Sequence, residues 1–404
     1  MKVLFLTGYM YEQGVYEKCN GGINIYVTQL AKTLAKKDDI SVCALTYGKG
    51  KSKNIDGINY ISHTYYDLLK TFIRKEKMNT RLLKKVDSVR KLYHVIDYDY
   101  IDQCIKKENP DIVHIHGVMF GMIQHIQCCK SHGIPVLVTL HGLLANDNEN
   151  TKTLLNECEK TFFEYADNER IAISVISSGI KKRASKIYGL KDISNIQVIG
   201  NGLELNKKND INEDIYRKYG LLKGRPILVC IGRIYPLKNQ VLVAKAAEII
   251  AEKYQREFQL VFIGKETDNG ELRNTIDNLT CAKNIFMLGF LTHNETMNIL
   301  HESSLNIIAS TNEGFGLTAI ESMSVGVPTI MFSDLDAYED LKDTGAIYPV
   351  SNRSLDDFAN EIEKALESNW DKLKIIDKSK QFDISNIIDK YIEEYKKVQR
   401  RNSI

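Results

Sequence analysis

Short runs of Val, Ile and Leu alternate along the chain with longer stretches whose apolar residues recur every third or fourth position. Five runs occupy residues 3–6, 112–115, 136–140, 171–176 and 196–199, and five more occupy 227–231, 260–263, 285–288, 305–308 and 328–332. A short continuous apolar run predicts a strand buried on both faces, as in a parallel sheet. The amphipathic stretches between them predict the crossover helices of βαβ units. The two series together predict an α/β chain of two Rossmann-like, doubly wound domains. The seam falls at Asn201-Gly202, a dipeptide that favours positive φ and a tight turn. A polar stretch over 206–213 follows, and a fresh strand begins after Gly224-Arg225-Pro226. This sets the domains at 1–203 and 204–384, with a last amphipathic helix over 385–398.

Length agrees with this division, since 404 residues exceed one ordinary core. Hydrophobic residues at 43% and charged residues at 26% are values of a globular chain. A net charge of +2 argues against general nucleic-acid affinity. None of the 8 cysteines forms a Cys-x-x-Cys pair, and Cys43, Cys230 and Cys281 sit in or beside apolar runs as small core residues. The N-terminal run is too short for a signal peptide or a membrane span, so a reducing cytoplasm is expected.

One stretch exceeds a minimal Rossmann half. Residues 63–100 predict a helical insertion in which Leu68, Phe72, Leu82 and Val86 recur at helical spacing. Lys84, Lys85, Arg90 and Lys91 belong to its large excess of basic side chains. Such a segment either packs on the sheet with its lysines in solvent or meets anionic headgroups at a membrane surface.

Three patterns resemble sites and fail on inspection. Gly48-Lys49-Gly50-Lys51-Ser52 lacks the first glycine of a P-loop, because position 45 is Leu45. Asp97-Tyr98-Asp99 falls in a helical stretch, where a solvated face is the simpler reading than the metal-binding Asp-x-Asp of a single-domain sugar transferase. His114 and His116 alternate on a strand and share a face, but no third ligand follows at metal spacing. No Gly-x-Gly-x-x-Gly follows a strand, which argues against a dinucleotide oxidoreductase.

The chemistry concentrates after strand ends. The run 305–308 leads into Glu313-Gly314-Phe315-Gly316-Leu317, and a helix is predicted to start near Leu317. Gly314 and Gly316 permit close approach of backbone N–H groups, and the helix N-terminus favours a phosphate. Glu313 and Glu321 can accept hydrogen bonds from polyol hydroxyls. The run 227–231 leads into Gly232-Arg233 and on to Lys238, with Pro236 at the start of the next helix. Two fixed cations there suit a diphosphate leaving group. In the first half, Gly21-Gly22 opens a helix and suits anion approach, with a flexible turn as the plainer reading. Thr139-Leu140-His141-Gly142 closes a strand, leaving open whether His141 serves a ligand in the cleft between the domains or is structural.

These residues resemble glycosyltransferase family 4. Glu313 and Glu321 match its Glu-x7-Glu motif. Further matches are Gly21-Gly22, residues 110–116, Thr139-Leu140-His141-Gly142, Asn201-Gly202, Gly232-Arg233 with Lys238, and Leu288-Gly289-Phe290. The resemblance implies the GT-B fold, two Rossmann-like domains facing across a cleft. The first would be the acceptor domain, and the helix after 385 would cross back onto it through 404. It implies a retaining enzyme that moves a hexose or N-acetylhexosamine from a nucleotide-diphosphate sugar, expected to be UDP-linked, to a hydroxyl acceptor that is a sugar or lipid-linked. Arg233 and Lys238 would hold the diphosphate, Glu321 the ribose and Glu313 the donor sugar. Asn201, Gly232, Gly314 and the amides of Phe315, Gly316 and Leu317 would line the donor site. His141 would lie near the transferred sugar and Gly22 near the phosphate. No metal or other cofactor is expected, and the place of work is the cytoplasm or the inner face of its membrane, in cell-surface glycan or glycolipid synthesis. A nucleotide-sugar 2-epimerase of the same fold and a non-catalytic donor-binding subunit remain as alternatives. One departure stands out. Ser333-Asp334-Leu335-Asp336-Ala337-Tyr338-Glu339 replaces the Gly-Gly-x-x-Glu often found after the last donor-side strand.

Overall fold

The computed structural model describes residues 1–7, 22–47, 53–63, 89–119, 121–144, 154–190, 192–205 and 214–402. Gly21 and most of the basic insertion lie outside the described residues. The helix Val89–Glu108 contains Asp97-Tyr98-Asp99, so this triplet follows no strand. The chain forms two compact units, one of Met1–Ile176, Ile180–Gly202 and Ile384–Ile404, the other of Ser177–Gly179 and Leu203–Asp383.

The first unit is built on β1 (Lys2–Thr7), β2 (Ser41–Tyr47), β3 (Lys53–Ile55), β4 (Ile58–His63), β5 (Ile112–His116), β6 (Val136–Leu140), β7 (Ala172–Val175) and β8 (Ile196–Val198). They form one sheet of order β3-β4-β2-β1-β5-β6-β7-β8 among the described residues. Every neighbouring pair is parallel except β3 with β4, which is antiparallel. That exception is a hairpin whose two-residue loop is Asp56-Gly57, both at positive φ (54° and 81°). Asp-Gly with this backbone is the preferred tight turn between antiparallel strands.

The helix Ile384–Asn402 completes this unit. Its Ile384, Ile387, Ile388, Tyr391, Tyr395 and Val398 recur at helical spacing and are buried with Val3, Phe5, Val27 and Leu30 in one apolar cluster. Tyr395 also reaches into the sheet, where its hydroxyl lies 2.7 Å from His114 Nδ1. His114 Nε2 lies 2.6 Å from Thr139 Oγ1, so both ring nitrogens are satisfied. This histidine is a core residue, and burial pushes its pKa well down, keeping it neutral.

Asn201-Gly202 does not form the positive-φ turn expected of it, since neither residue is among those with positive φ. Glycine is required there for another reason. A Cβ on Gly202 would stand 2.7 Å from Ile384 Cα and 2.9 Å from Ile387 Cγ1. The position is a close approach between the chain after β8 and the terminal helix.

The second unit is built on β9 (Ile227–Ile231), β10 (Gln259–Ile263), β11 (Ile285–Met287), β12 (Leu305–Ile308), β13 (Thr329–Phe332) and β14 (Ile347–Val350). The sheet is parallel throughout, in the order β11-β10-β9-β12-β13-β14. Strand order reverses at β9/β12, the kind of switch point beside which doubly wound sheets bind ligands. Pro349 lies in β14, an edge strand, where the missing N–H disrupts least.

Gly202→Ala is expected to destabilise the first unit by about 1–3 kcal/mol, because backbone rather than a movable side-chain tip stands in the way. Urea unfolding followed through near-ultraviolet signals checks this; an unchanged midpoint contradicts the close-approach assignment.

Candidate functional site

The loops that leave β9 and β12 run side by side because their strands are paired, with Leu305 opposite Leu228 and Asn306 opposite Val229. Gly232 follows β9 at φ 140°, and Gly264 follows β10 at φ 153°. A Cβ on Gly264 would fall 2.0 Å from the Gly232 carbonyl oxygen, so the two chains exit the sheet in close contact. Arg233 is then exposed, its guanidinium 5.0 Å from the centre of the Tyr235 ring. Its carbonyl accepts from Gln240 Nε2 at 3.0 Å, which ties the loop to the following helix Gln240–Lys253. Pro236 starts a single 3-10 turn, Pro236–Lys238, rather than the long helix itself. The Leu237 carbonyl accepts from the Thr311 N–H at 2.9 Å and so pins this turn against the loop after β12.

That contact brings Lys238 to Glu313. Their side chains form an ion pair, with Lys238 26% exposed and Glu313 16%. Burial opposes the charge on Lys238, but the Glu313 carboxylate outweighs it and holds the lysine pKa above its ordinary value. Ser310 Oγ donates to the same Glu313 oxygen at 3.4 Å. The Glu313 carbonyl accepts from the Ala337 N–H at 3.0 Å, so the segment is fixed from both sides. Arg233 does not join the pair.

Gly316, at φ 76°, is the N-cap of the helix Leu317–Ser324, and no side chain caps that end. A Cβ on Gly316 would meet Leu341 Cδ1 at 3.3 Å. The helix end therefore offers backbone N–H groups and a positive dipole end to an anion. Phe315 is buried and packs edge-on against Phe382, its ring centre 6.1 Å away, which anchors the loop. Glu321 lies within the helix with 18% of its side chain exposed, and His293 Nδ1 lies 3.6 Å from its Oε1. Burial raises the Glu321 carboxyl to about 7.

The sequence gives no hint of Arg353. It donates to both carboxylate oxygens of Asp334, at 3.0 and 2.7 Å, and to the Ser310 carbonyl at 3.1 Å. Its guanidinium also lies 4.0 Å from the Phe332 ring centre. The segment that departs from Gly-Gly-x-x-Glu is thus held by this arginine and by the Ala337 N–H bond to Glu313. Gly264 is equally unflagged, though a glycine directly after an apolar run is a readable sign.

Gly22, His141 and Asn201 belong to the first unit. Gly22 begins the helix Gly22–Leu34. Asn201 is buried, and its Oδ1 has no hydrogen-bond partner among the described residues. His141 Nε2 lies 3.1 Å from His116 Nδ1, and the two rings stack at 5.3 Å. Burial lowers the His141 pKa to about 3, and His116 is pushed down by burial and by its histidine neighbours. The pair shares one hydrogen bond between neutral rings. His141 follows β6, the strand next to β5, and so lies beside His116; among the described residues the three histidines form no metal-type cluster.

A family model described as Glycosyltransferase Family 4 matches residues 20–207, and one described as Glycosyl transferases group 1 matches residues 211–382. A UDP-Gal:alpha-D-GlcNAc-diphosphoundecaprenol alpha-1,3-galactosyltransferase from Escherichia coli is 28% identical over 266 residues. That match covers 63% of each chain, under two thirds of the relative's length. A D-inositol 3-phosphate glycosyltransferase from Corynebacterium aurimucosum is 23% identical, over 90% of this chain and 87% of the relative. The chain belongs to glycosyltransferase family 4. The glycosyltransferase also shares its fold with Anabaena HepE, solved in complex with UDP, at a TM-score of 0.71 and 17% identity over 98% of this chain and 100% of that one. The fold is GT-B, and the family models and relatives indicate a glycosyltransferase. No described helix of this glycosyltransferase is long and apolar enough to cross a membrane.

Glu321 generates a pH prediction. Its folded pKa of about 7 lies above the 4.5 of an ordinary glutamate, so between these values the folded state keeps a proton that the unfolded state has lost. The resulting stability is fully present below the lower value and is lost as pH rises through the upper one. Glu321→Gln, which cannot ionise, should therefore gain on the wild type between pH 5 and pH 8, by on the order of 1–3 kcal/mol. Urea midpoints at both pH values check this, and a constant difference contradicts it.

Proposed function

We propose that this glycosyltransferase moves a hexose or N-acetylhexosamine from a UDP-linked donor to a hydroxyl acceptor with retention of configuration. The observation that carries the reading is the Lys238–Glu313 ion pair beside the uncapped helix start at Gly316. A diphosphate entering there competes with Glu313 for Lys238 and draws in the exposed Arg233. The freed Glu313 carboxylate then accepts from hydroxyls of the donor sugar. Backbone amides at Phe315, Gly316 and Leu317 face the phosphate, with Gly232 and Gly314 giving it room, and Glu321 in its ionised form accepts from the ribose. In the first unit, Gly22 with Gly21 serves the phosphate, His141 lies near the transferred sugar, and Asn201 lines the donor site.

As the glycosidic bond breaks, negative charge grows on the diphosphate, and fixed cations and N–H groups stabilise it without reorganising. The leaving phosphate oxygen takes the acceptor proton on the same face, so the protein contributes positioning more than acid–base groups. The reaction needs no divalent metal in this reading, since the charge that a metal would meet falls to Arg233, Lys238 and the helix N-terminus. The printed name of the E. coli relative, with its UDP-Gal donor and diphosphoundecaprenol-linked acceptor, supports a UDP donor and a lipid-linked acceptor. The basic residues of 63–100 suit contact with the inner face of the membrane, in cell-surface glycan synthesis.

A thermal-shift screen of nucleotide-sugars identifies the donor, and the anomeric configuration of the product, read by nuclear magnetic resonance, decides retention. With that donor and chelator present, transfer should proceed at its full rate. Arg233→Ala and Lys238→Ala should each lower turnover by roughly 10- to 150-fold, the worth of one charge-assisted contact. Wild-type turnover in both variants refutes the diphosphate assignment.

The two glutamates separate by calorimetry. Glu321→Ala should weaken binding of UDP itself, whereas Glu313→Ala should spare UDP and weaken the intact nucleotide-sugar. Equal losses on both ligands for both variants would contradict these roles.

A further inference from the structure

The first unit carries a second cluster of ligand-type side chains. Asp102 projects from the helix Val89–Glu108, Cys128 from the helix Met122–Ser131, and His132 is that second helix's C-cap. Cys128 and His132 are four residues apart, a spacing that sets two ligands on one helical face. Asp102 faces them from the neighbouring helix, its Oδ1 2.7 Å from His132 Nε2. One ligand atom from each of the three lies within 4.8 Å of the other two. Cys128 is fully buried, while Asp102 and His132 are 22% and 25% exposed.

We propose that Asp102, Cys128 and His132 bind a zinc ion, with solvent as the fourth ligand. One thiolate, one imidazole and one carboxylate match the N, S and O preferences of zinc and exclude magnesium and calcium, which demand oxygen ligands. Tetrahedral zinc at ordinary bond lengths sets its ligand atoms roughly 3.3–3.8 Å apart, so closing the trio takes about an ångström of side-chain movement. Lys106 Nζ holds Asp102 Oδ2 at 2.6 Å and leaves Oδ1 for the metal. A partner on the second oxygen orients a ligating carboxylate. Zinc with one carboxylate and one thiolate is a neutral unit, so Lys106 meets no net positive charge.

Binding forms three bonds from protein atoms to the metal. It replaces the Asp102–His132 hydrogen bond and releases the thiol proton of Cys128 to solvent, so affinity rises with pH. One contact of that thiol, with the Tyr98 carbonyl at 4.0 Å, is a long, weak one. The ion would clasp two helices of the first unit together.

The test uses the full chain, freed of metal by chelation and titrated with zinc chloride by calorimetry, then with cobalt(II) by absorption spectroscopy. Zinc should bind with one-to-one stoichiometry and raise the melting temperature. Cobalt should show a thiolate charge-transfer band together with the visible bands of a four-coordinate ion. Cys128→Ser should abolish the charge-transfer band. His132→Gln and Asp102→Asn, both at partly exposed positions, should weaken zinc by more than the roughly 10- to 100-fold that loss of an outer partner brings. No saturable one-to-one binding overturns the proposal. So does a cobalt spectrum without the sulfur band, or unchanged zinc affinity in His132→Gln and Asp102→Asn.

Discussion

The pairing of β9 with β12 is the constraint on which the Lys238–Glu313 site depends. These strands are distant in sequence yet adjacent in the sheet, and strand order reverses between them. At any other position in a parallel sheet, a crossover helix would cover the space between successive strand ends. At this switch point the two following segments diverge and leave their first turns facing each other. The Thr311–Leu237 backbone bond and the Lys238–Glu313 ion pair are consequences of that adjacency.

The two units handle charge in opposite ways. The second keeps a partly buried cation, Lys238, by giving it the Glu313 carboxylate. The first lines its sheet with histidines whose burial keeps them uncharged, His114 locked between Tyr395 and Thr139 and His116 bonded to His141. An imidazole held near pKa 3, as His141 is, remains a hydrogen-bonding surface at any physiological pH and is no reservoir of positive charge. A group beside it meets shape and a neutral ring.

Much of this was legible in advance, and the failures have physical causes. The ten apolar runs all correspond to strands because most of their positions are apolar on both faces, with single polar residues such as His114, Ser174 and Asn306 too few to break the pattern. β2 was missed because Ser41, Thr46 and Tyr47 dilute its pattern, and β14 because Pro349 reads as a breaker until its edge position is known. The β3–β4 hairpin is legible only in its Asp56-Gly57 turn, because β3 is too short to carry a pattern of its own. At the site, residues following strand ends were found because position along the sheet edge is local information. Arg353 was not, since its partners Asp334 and Ser310 lie 19 and 43 residues away in sequence. Nothing in a linear pattern joins them. Gly202 was rightly singled out for the wrong reason, as a turn rather than as a close approach to Ile384.

The terminal helix has a consequence for how the protein is made. The apolar cluster of the first unit includes Ile384, Ile387, Ile388, Tyr391, Tyr395 and Val398, which leave the ribosome after the whole second unit. Domains ordinarily fold in the order of their synthesis. Here the N-terminal sheet can be complete in every strand and still lack one wall of its core, with His114 waiting for the hydroxyl of Tyr395. The second unit, Leu203–Asp383 with three earlier residues, has no such debt to the chain's end. The core of the first unit is therefore completed only by residues synthesised after the whole of the second unit.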